Sequence, residues 1–176
     1  MKEVDPLRYP IGRFERPAAV SGDDRRRLVQ ALAQLPQDVR ALVEPLSDTR
    51  LDRAYRPGGW TIRQVVHHLP DSHMNGYIRM KLAATADRPA IMLYDQARWA
   101  DLAESRTAPI GMSLDLLDAL HRRWVAFLAA LAEDDFRKAF SHPEWGLVPI
   151  DDALALYVWH GRHHSAHIRQ AIAAGA

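Results

Sequence analysis

Hydrophobic positions recur at helical spacing in four separated stretches, each preceded by residues with helix-start chemistry. Ser21 with Asp24 reads as a capping signal before a run through Leu28, Leu32 and Leu35. Pro36 is expected to kink or restart that helix, which then resumes to about Leu46. After the turn RPGGW (56–60), Thr61 and Gln64 form a T-x-x-Q capping box and predict a helix to about Thr85. Ser113 is expected to cap a third helix to about Ala132, with Leu116, Leu120, Trp124, Phe127 and Leu131 on one stripe. Asp151 is expected to cap a last helix to about Ala174, after a turn region at 142–149. Residues 86–112 form a long connection rich in proline and polar groups, with a short helix expected at Asp95–Glu104. A connection of that length is commonly functional or packed against a site. Residues 1–20, with Pro6, Pro10 and Pro17, read as an extended arm that packs on the domain or on a partner subunit. Repeats, low-complexity tracts and strong strand signals are missing. The pattern predicts an all-α four-helix bundle, an architecture that builds metal sites from facing helices.

Composition narrows the function without naming it. At 176 residues the default is one domain, 1–176. The formal net charge is +1, so no electrostatic footprint for nucleic acid or an anionic membrane stands out. The N-terminal stretch has no apolar core suited to a signal peptide, and no run approaches ~18 apolar residues. The expectation is a cytoplasmic protein. There is no cysteine, so a metal site must use nitrogen and oxygen ligands.

Nine histidines occur, and four lie in WHGRHHSAHI (159–168): His160, His163, His164 and His167. An i,i+4 pair of imidazoles on a helix can converge on one ion, and two such pairs overlap here, His160/His164 and His163/His167. Ala153, Tyr157, Ile168 and Ala171 mark the inward direction of this helix. His160 and His164 fall within roughly 60° of it, whereas His163 lies about twice as far away. The first pair therefore faces the bundle interior, and the second suits an edge or supporting role. A third ligand is expected from VVHHLPDSH (65–73), where Ile62, Val65 and Leu69 define the inward face. His67 points away from that face and His68 lies at its margin. His73 is also compatible, although Pro70 makes the helical phase beyond it unreliable, so spacing leaves His68 and His73 both open. His121 is an outsider, and His142 in a proline turn is weaker still. Three imidazoles leave a position on the ion open, as in catalytic zinc sites. Zinc is the first expectation, and nickel is compatible with nitrogen ligands.

Several stretches together resemble the DinB/YfiT-like superfamily, and within it the YfiT-type metal-dependent hydrolases, also described as bacillithiol transferases. They are YPIG (9–12), YRPGGWTIRQVVHHLPDSHMNGYIRMKL (55–82), YD with a nearby Trp (94–99), LHRRW (120–124), HPE (142–144) and LYVWHGRHHSAHI (156–168). The family pattern has a ligand histidine eight residues after the helix-starting tryptophan and just before leucine, which here is His68 after Trp60. It has the other two ligands as HxxxH in the last helix, matching His160 and His164. The resemblance thus implies His68 rather than His73. It also implies an up-down-down-up bundle, a homodimer, and one zinc or nickel ion per chain on three histidines, completed by water. Pro70 departs from the family's usual alanine.

Two chemistries follow for such an enzyme: hydrolysis of a small molecule, or transfer of a low-molecular-weight thiol to an electrophile. The resemblance favours thiol transfer as chemistry while carrying the name hydrolase. No Glu stands between His160 and His164, so the water-activating base of the H-E-x-x-H design is missing. Ser72, Asn75 and Arg79 recur near the side of His68 and could bind a cosubstrate, as could Arg162, although Arg79 and Arg162 are expected on solvated faces. Asp71 is a candidate to orient His67 or His68, or a surface charge. The competing readings are a structural or regulatory metal bundle and a dimeric binding module. Trp99, Trp124, Trp145 and Trp159 are expected in core or dimer contacts.

Overall fold

A computed structural model describes residues 5–174; the first four residues of the expected arm and the last two of the chain lie outside them. Four long helices dominate: α1 Gly22–Val43, α3 Ile62–Thr85, α6 Gly111–Ala129 and α7 Ile150–Ala173. Short helices α2 Asp48–Leu51, α4 Gln96–Ala100 and α5 Ala103–Thr107 sit in the connections.

Two helix starts follow the expected chemistry. Ser21 and Thr61 each accept from the backbone three residues on, while Asp24 and Gln64 reach back to the cap amide. Two others do not. Ser113 lies inside α6, because the Ile110 carbonyl already receives the amides of Ser113 and Leu114. Asp151 lies in the first turn of α7, where its carboxylate takes two bonds of 2.8 Å from Arg25. The buried stripe of α6 is Leu114, Leu117, His121, Trp124 and Leu128. It is rotated from the expected one, and Leu116 is 44% exposed. The region 142–149 is more than a turn: β1 Ala139–His142 pairs antiparallel with β2 Gly146–Pro149. Pro36 neither ends nor restarts α1, and Pro70 lies within an unbroken α3.

Contact pairs give the topology. Arg25 meets Asp151, and Leu35 packs on Gly161, so α1 and α7 run parallel. His67 meets Ser113 and Met80 meets Trp124, so α3 and α6 run parallel. Arg40 with Asp115 and Leu32 with His121 set α1 against α6. His68 with His160 and Gly76 with Tyr157 set α3 against α7. The result is an up-down-down-up four-helix bundle, with α1 diagonal to α3 and α6 diagonal to α7. The parallel α3–α6 step explains the long crossover through 86–110, since a short loop cannot return the chain to its starting end.

The core is divided. One apolar cluster holds Leu32, Met80, Trp124, Ile150, Leu154 and Val158. The other holds Val39, Ile62, Val65, Leu69, Leu114, Leu117 and Ile168. On α3, α6 and α7 the histidines 68, 73, 121, 160 and 164 fall where the two clusters adjoin. Two glycines let the helices close around this polar layer: a Cβ at Gly76 would run into the Tyr157 ring, and one at Gly161 into Leu35. No described helix is long and apolar enough to cross a membrane.

Candidate metal centre

α3 presents His68 and α7 presents His160 and His164, and one nitrogen from each lies within 4.8 Å of the others. Among the described residues this is the group of ligand-type side chains close enough to share an ion. His68 Nε2 and His160 Nε2 stand 3.3 Å apart. That is roughly the edge of a tetrahedron whose metal–nitrogen arms are about 2.0–2.1 Å. Burial pushes the His68 imidazole down to about 3. It holds His160 and His164 well below the usual histidine range, reinforced by the neighbouring imidazoles. Neutral imidazoles are the form that binds a metal. Donor type, spacing and protonation state all fit a divalent ion.

The other histidines are more deeply engaged than their helical phase suggested. His73 is fully buried between His121 Nε2, 2.9 Å from its Nδ1, and His160 Nδ1, 3.1 Å from its Nε2. His121 in turn contacts the Leu32 carbonyl through Nδ1 at 2.6 Å. His67, expected to point away, is buried by the crossover: Nδ1 meets the Ser113 hydroxyl at 2.7 Å and Nε2 the Ala108 carbonyl at 3.2 Å. His163 and His167 are also buried, because the arm covers that edge of α7. Tyr9 packs on His163, Phe14 on Trp159, and the Arg8 carbonyl lies 3.2 Å from His167 Nε2. His142 ends β1 and accepts the Glu144 amide, away from the cluster.

Ser72 lies closest of the proposed cosubstrate residues, its hydroxyl 3.4 Å from His160 Nε2. Asn75 instead donates to the Asp71 carbonyl. Arg162 is exposed, as expected, whereas Arg79 is half-buried and donates to the Met92 carbonyl at 3.0 Å. Asp71 makes no bond to His67, whose two ring nitrogens are taken elsewhere. Burial, aided by Glu104, pushes its carboxyl up to about 6. Trp124 is core, but Trp99 and Trp145 are 38% and 48% exposed.

A cavity of about 390 Å³ reaches the cluster between the arm, the turn before α3, and α7. Tyr9, Tyr55, Trp60 and Trp159 form its aromatic walls, and Arg8 and Arg56 bring guanidinium groups. His160 and His164 open onto it, and no carboxylate lines it.

Sequence reasoning overlooked Arg63. It is buried under α5, with Nε 2.7 Å from Asp52, Nη2 2.8 Å from Asp48 and Nη1 on the Ala108 carbonyl. It thereby ties the start of α3 to the chain on either side. His121 was set aside as an outsider, although its place in the 114/117/121/124/128 repeat was a readable signal.

The profile of the DinB superfamily matches residues 31–168. A Bacillus subtilis protein carrying the name "Putative metal-dependent hydrolase YfiT" is 46% identical over 165 residues, covering 93% of each chain. A Bacillus licheniformis protein with the same hydrolase designation is 47% identical over 167 residues, covering 94% of this chain and 95% of that one. The solved Bacillus subtilis YfiT structure, described as "a probable metal-dependent hydrolase with an unusual four-helix bundle topology", superposes with a TM-score of 0.95. It is 44% identical in sequence, and the match covers 97% of this chain and 98% of that one.

Proposed function

This chain belongs to the DinB superfamily, and from that premise we propose that it is a metal-dependent enzyme acting on a small molecule at His68, His160 and His164. The observation that carries the reading is the convergence of three neutral imidazoles beside a cavity. Zinc suits this donor set first, and nickel is compatible. The ion, when bound, supplies positive charge that lowers the pKa of a water or thiol beside it. The relatives' names support hydrolysis as the general class.

The cavity lining favours thiol S-transfer as the particular reaction. No carboxylate stands on the walls to take a proton from water as the Glu of an H-E-x-x-H site does. A thiol ionises near 8.5 unaided and needs no such base. In this reaction the thiol gives its proton to solvent, its sulfur bonds to an electrophilic carbon, and the leaving group departs with the electrons of the bond that breaks. Arg8 and Arg56 suit a carboxylate on the cosubstrate, and the aromatic walls suit its apolar portion. No fourth protein ligand joins the cluster among the described residues, which supports an open site over a structural one. A homodimer is part of the same proposal. Ile78 and Leu82, one turn apart on α3, are exposed, as are Met92 and Leu93 on the segment that Arg79 binds.

Metal analysis of purified His68→Ala, His160→Ala and His164→Ala tests the ligand set. Each is expected to lose most bound metal, and full stoichiometry in any one excludes that ligand. For the reaction, metal-loaded protein is incubated with monochlorobimane and a panel of low-molecular-weight thiols, and separately with esters. Thiol-dependent turnover is expected. Ester turnover without thiol would replace transfer with hydrolysis, and failure of both would leave a non-catalytic metal bundle.

A further inference from the structure

The contacts around His160 and His164 have a direction that hydrogen-bond chemistry fixes. The Leu32 carbonyl can only accept, so His121 must carry its proton on Nδ1, the atom 2.6 Å away. A neutral His121 then has a bare Nε2, so His73 must donate to it from Nδ1. His73 Nε2 is consequently bare and accepts from His160 Nδ1. His160 is left with an unprotonated Nε2, the atom that faces His68 Nε2. Burial favours the neutral form of all three rings.

The Leu32 carbonyl is available for a specific reason. In a regular helix it would receive the amide of residue 36, and that residue is Pro36, which has none. The proline that was expected to kink or restart α1 exposes the acceptor on which the series ends.

A second backbone carbonyl orients the rings on the other side of the site. The Arg8 carbonyl fixes the His167 proton on Nε2. His167 Nδ1 is then an acceptor for His164 Nδ1, 3.4 Å away, and His164 Nε2 is bare.

We propose that His73 and His167 are positioning residues. Each holds one ligand, His160 or His164, as the Nδ1–H tautomer with Nε2 presented to the ion, through a relay that ends on a backbone carbonyl. The metal-affinity part rests on the three-histidine reading above; the tautomers do not. Supporting partners of this kind are typically worth roughly 10–100-fold in metal affinity.

The primary test uses metal-free, ¹⁵N-labelled protein at neutral pH and long-range ¹H–¹⁵N imidazole spectra. His73, His121, His160 and His164 are expected as Nδ1–H tautomers and His167 as Nε2–H. An Nε2–H signature at His160 or His164 overturns the corresponding relay, whether or not the protein binds metal. The second test measures Zn²⁺ affinity by competition with a chromophoric chelator. His73→Phe and His167→Phe are expected to weaken binding roughly 10–100-fold. His73→Gln and His167→Gln should recover most of it, because an amide can donate on one side and accept on the other. Equal loss in the Phe and Gln variants reduces the two histidines to packing and overturns the proposal. A Phe variant that does not fold leaves the wild-type spectrum to decide. Wild-type protein that binds no Zn²⁺ sinks the metal reading but not the tautomer assignment.

Discussion

At the scale of single residues, what could be read was whatever helical phase controls. His160 and His164 face inward because Tyr157 and Ile168 on the same helix do, and both of those are buried. Phase does not say what lies over an edge, so His163 and His167 looked marginal until the arm was seen to cover them. Nor could phase choose between His68 and His73; family spacing made that choice, and the structure gives both an inward position. The buried imidazoles carry a cost that depends on pH. His121 is held at about 4 by burial, against 6.5 for an ordinary imidazole. Below about 6.5 the unfolded chain binds a proton that the folded chain refuses, so this contribution is complete above that pH. It is lost as pH falls from about 6.5 toward 4, and His121 alone accounts for about 2 kcal/mol of the loss by pH 5. The other buried histidines are shifted in the same direction. Urea unfolding of metal-free protein is therefore expected to give markedly lower stability at pH 5 than at pH 7.5. Equal stability at the two values would contradict neutral burial of these rings.

At the scale of elements, local chemistry decided the starts of α1 and α3 and failed where a distant partner had a claim. Ser113 has the composition of a cap, but its hydroxyl serves His67, 46 residues away. The β1–β2 hairpin was missed because its strands are only four residues each and only Phe140 and Val148 alternate into the core. Thr61 offers a direct check on the element that matters most, since α3 carries His68. Thr61→Ala removes the acceptor for the Gln64 amide and should cost about 1 kcal/mol in denaturant unfolding. Metal stoichiometry should stay unchanged, because the packing of Val65 and Leu69, not the cap, sets the depth of His68. A large loss of metal in this variant would show that the start of α3 controls the site directly.

At the scale of the whole molecule, an all-helical bundle was legible from four periodic stretches, and its winding came only from the family resemblance. Periodicity records which face of a helix is buried and says nothing about which neighbour buries it. Contacts such as Arg40 with Asp115 and Leu35 with Gly161 supply that information. The proposed homodimer belongs to this scale too. Light scattering should give about twice the 19.9 kDa chain mass. Leu82→Lys, on the exposed face of α3, should shift the mass to that of one chain while metal binding persists. A wild-type monomer at micromolar concentration would remove the dimer from the proposal.

The winding also has an electrical consequence. An up-down-up-down bundle would place every helix beside antiparallel neighbours, with opposed dipoles that attract. Here α1 lies parallel to α7 and α3 parallel to α6, so like ends meet side by side in two of the four neighbour pairs. The positive ends of α1 and α7 share one end of the molecule. Asp23, Asp24, Asp151 and Asp152 occupy their first turns, and Arg25 joins α1 to Asp151. The positive ends of α3 and α6 share the opposite end and have no acidic residue in their first turns. Each end of the bundle therefore has a positive side and a negative side, and carboxylates of the same helices offset the positive side at one end only.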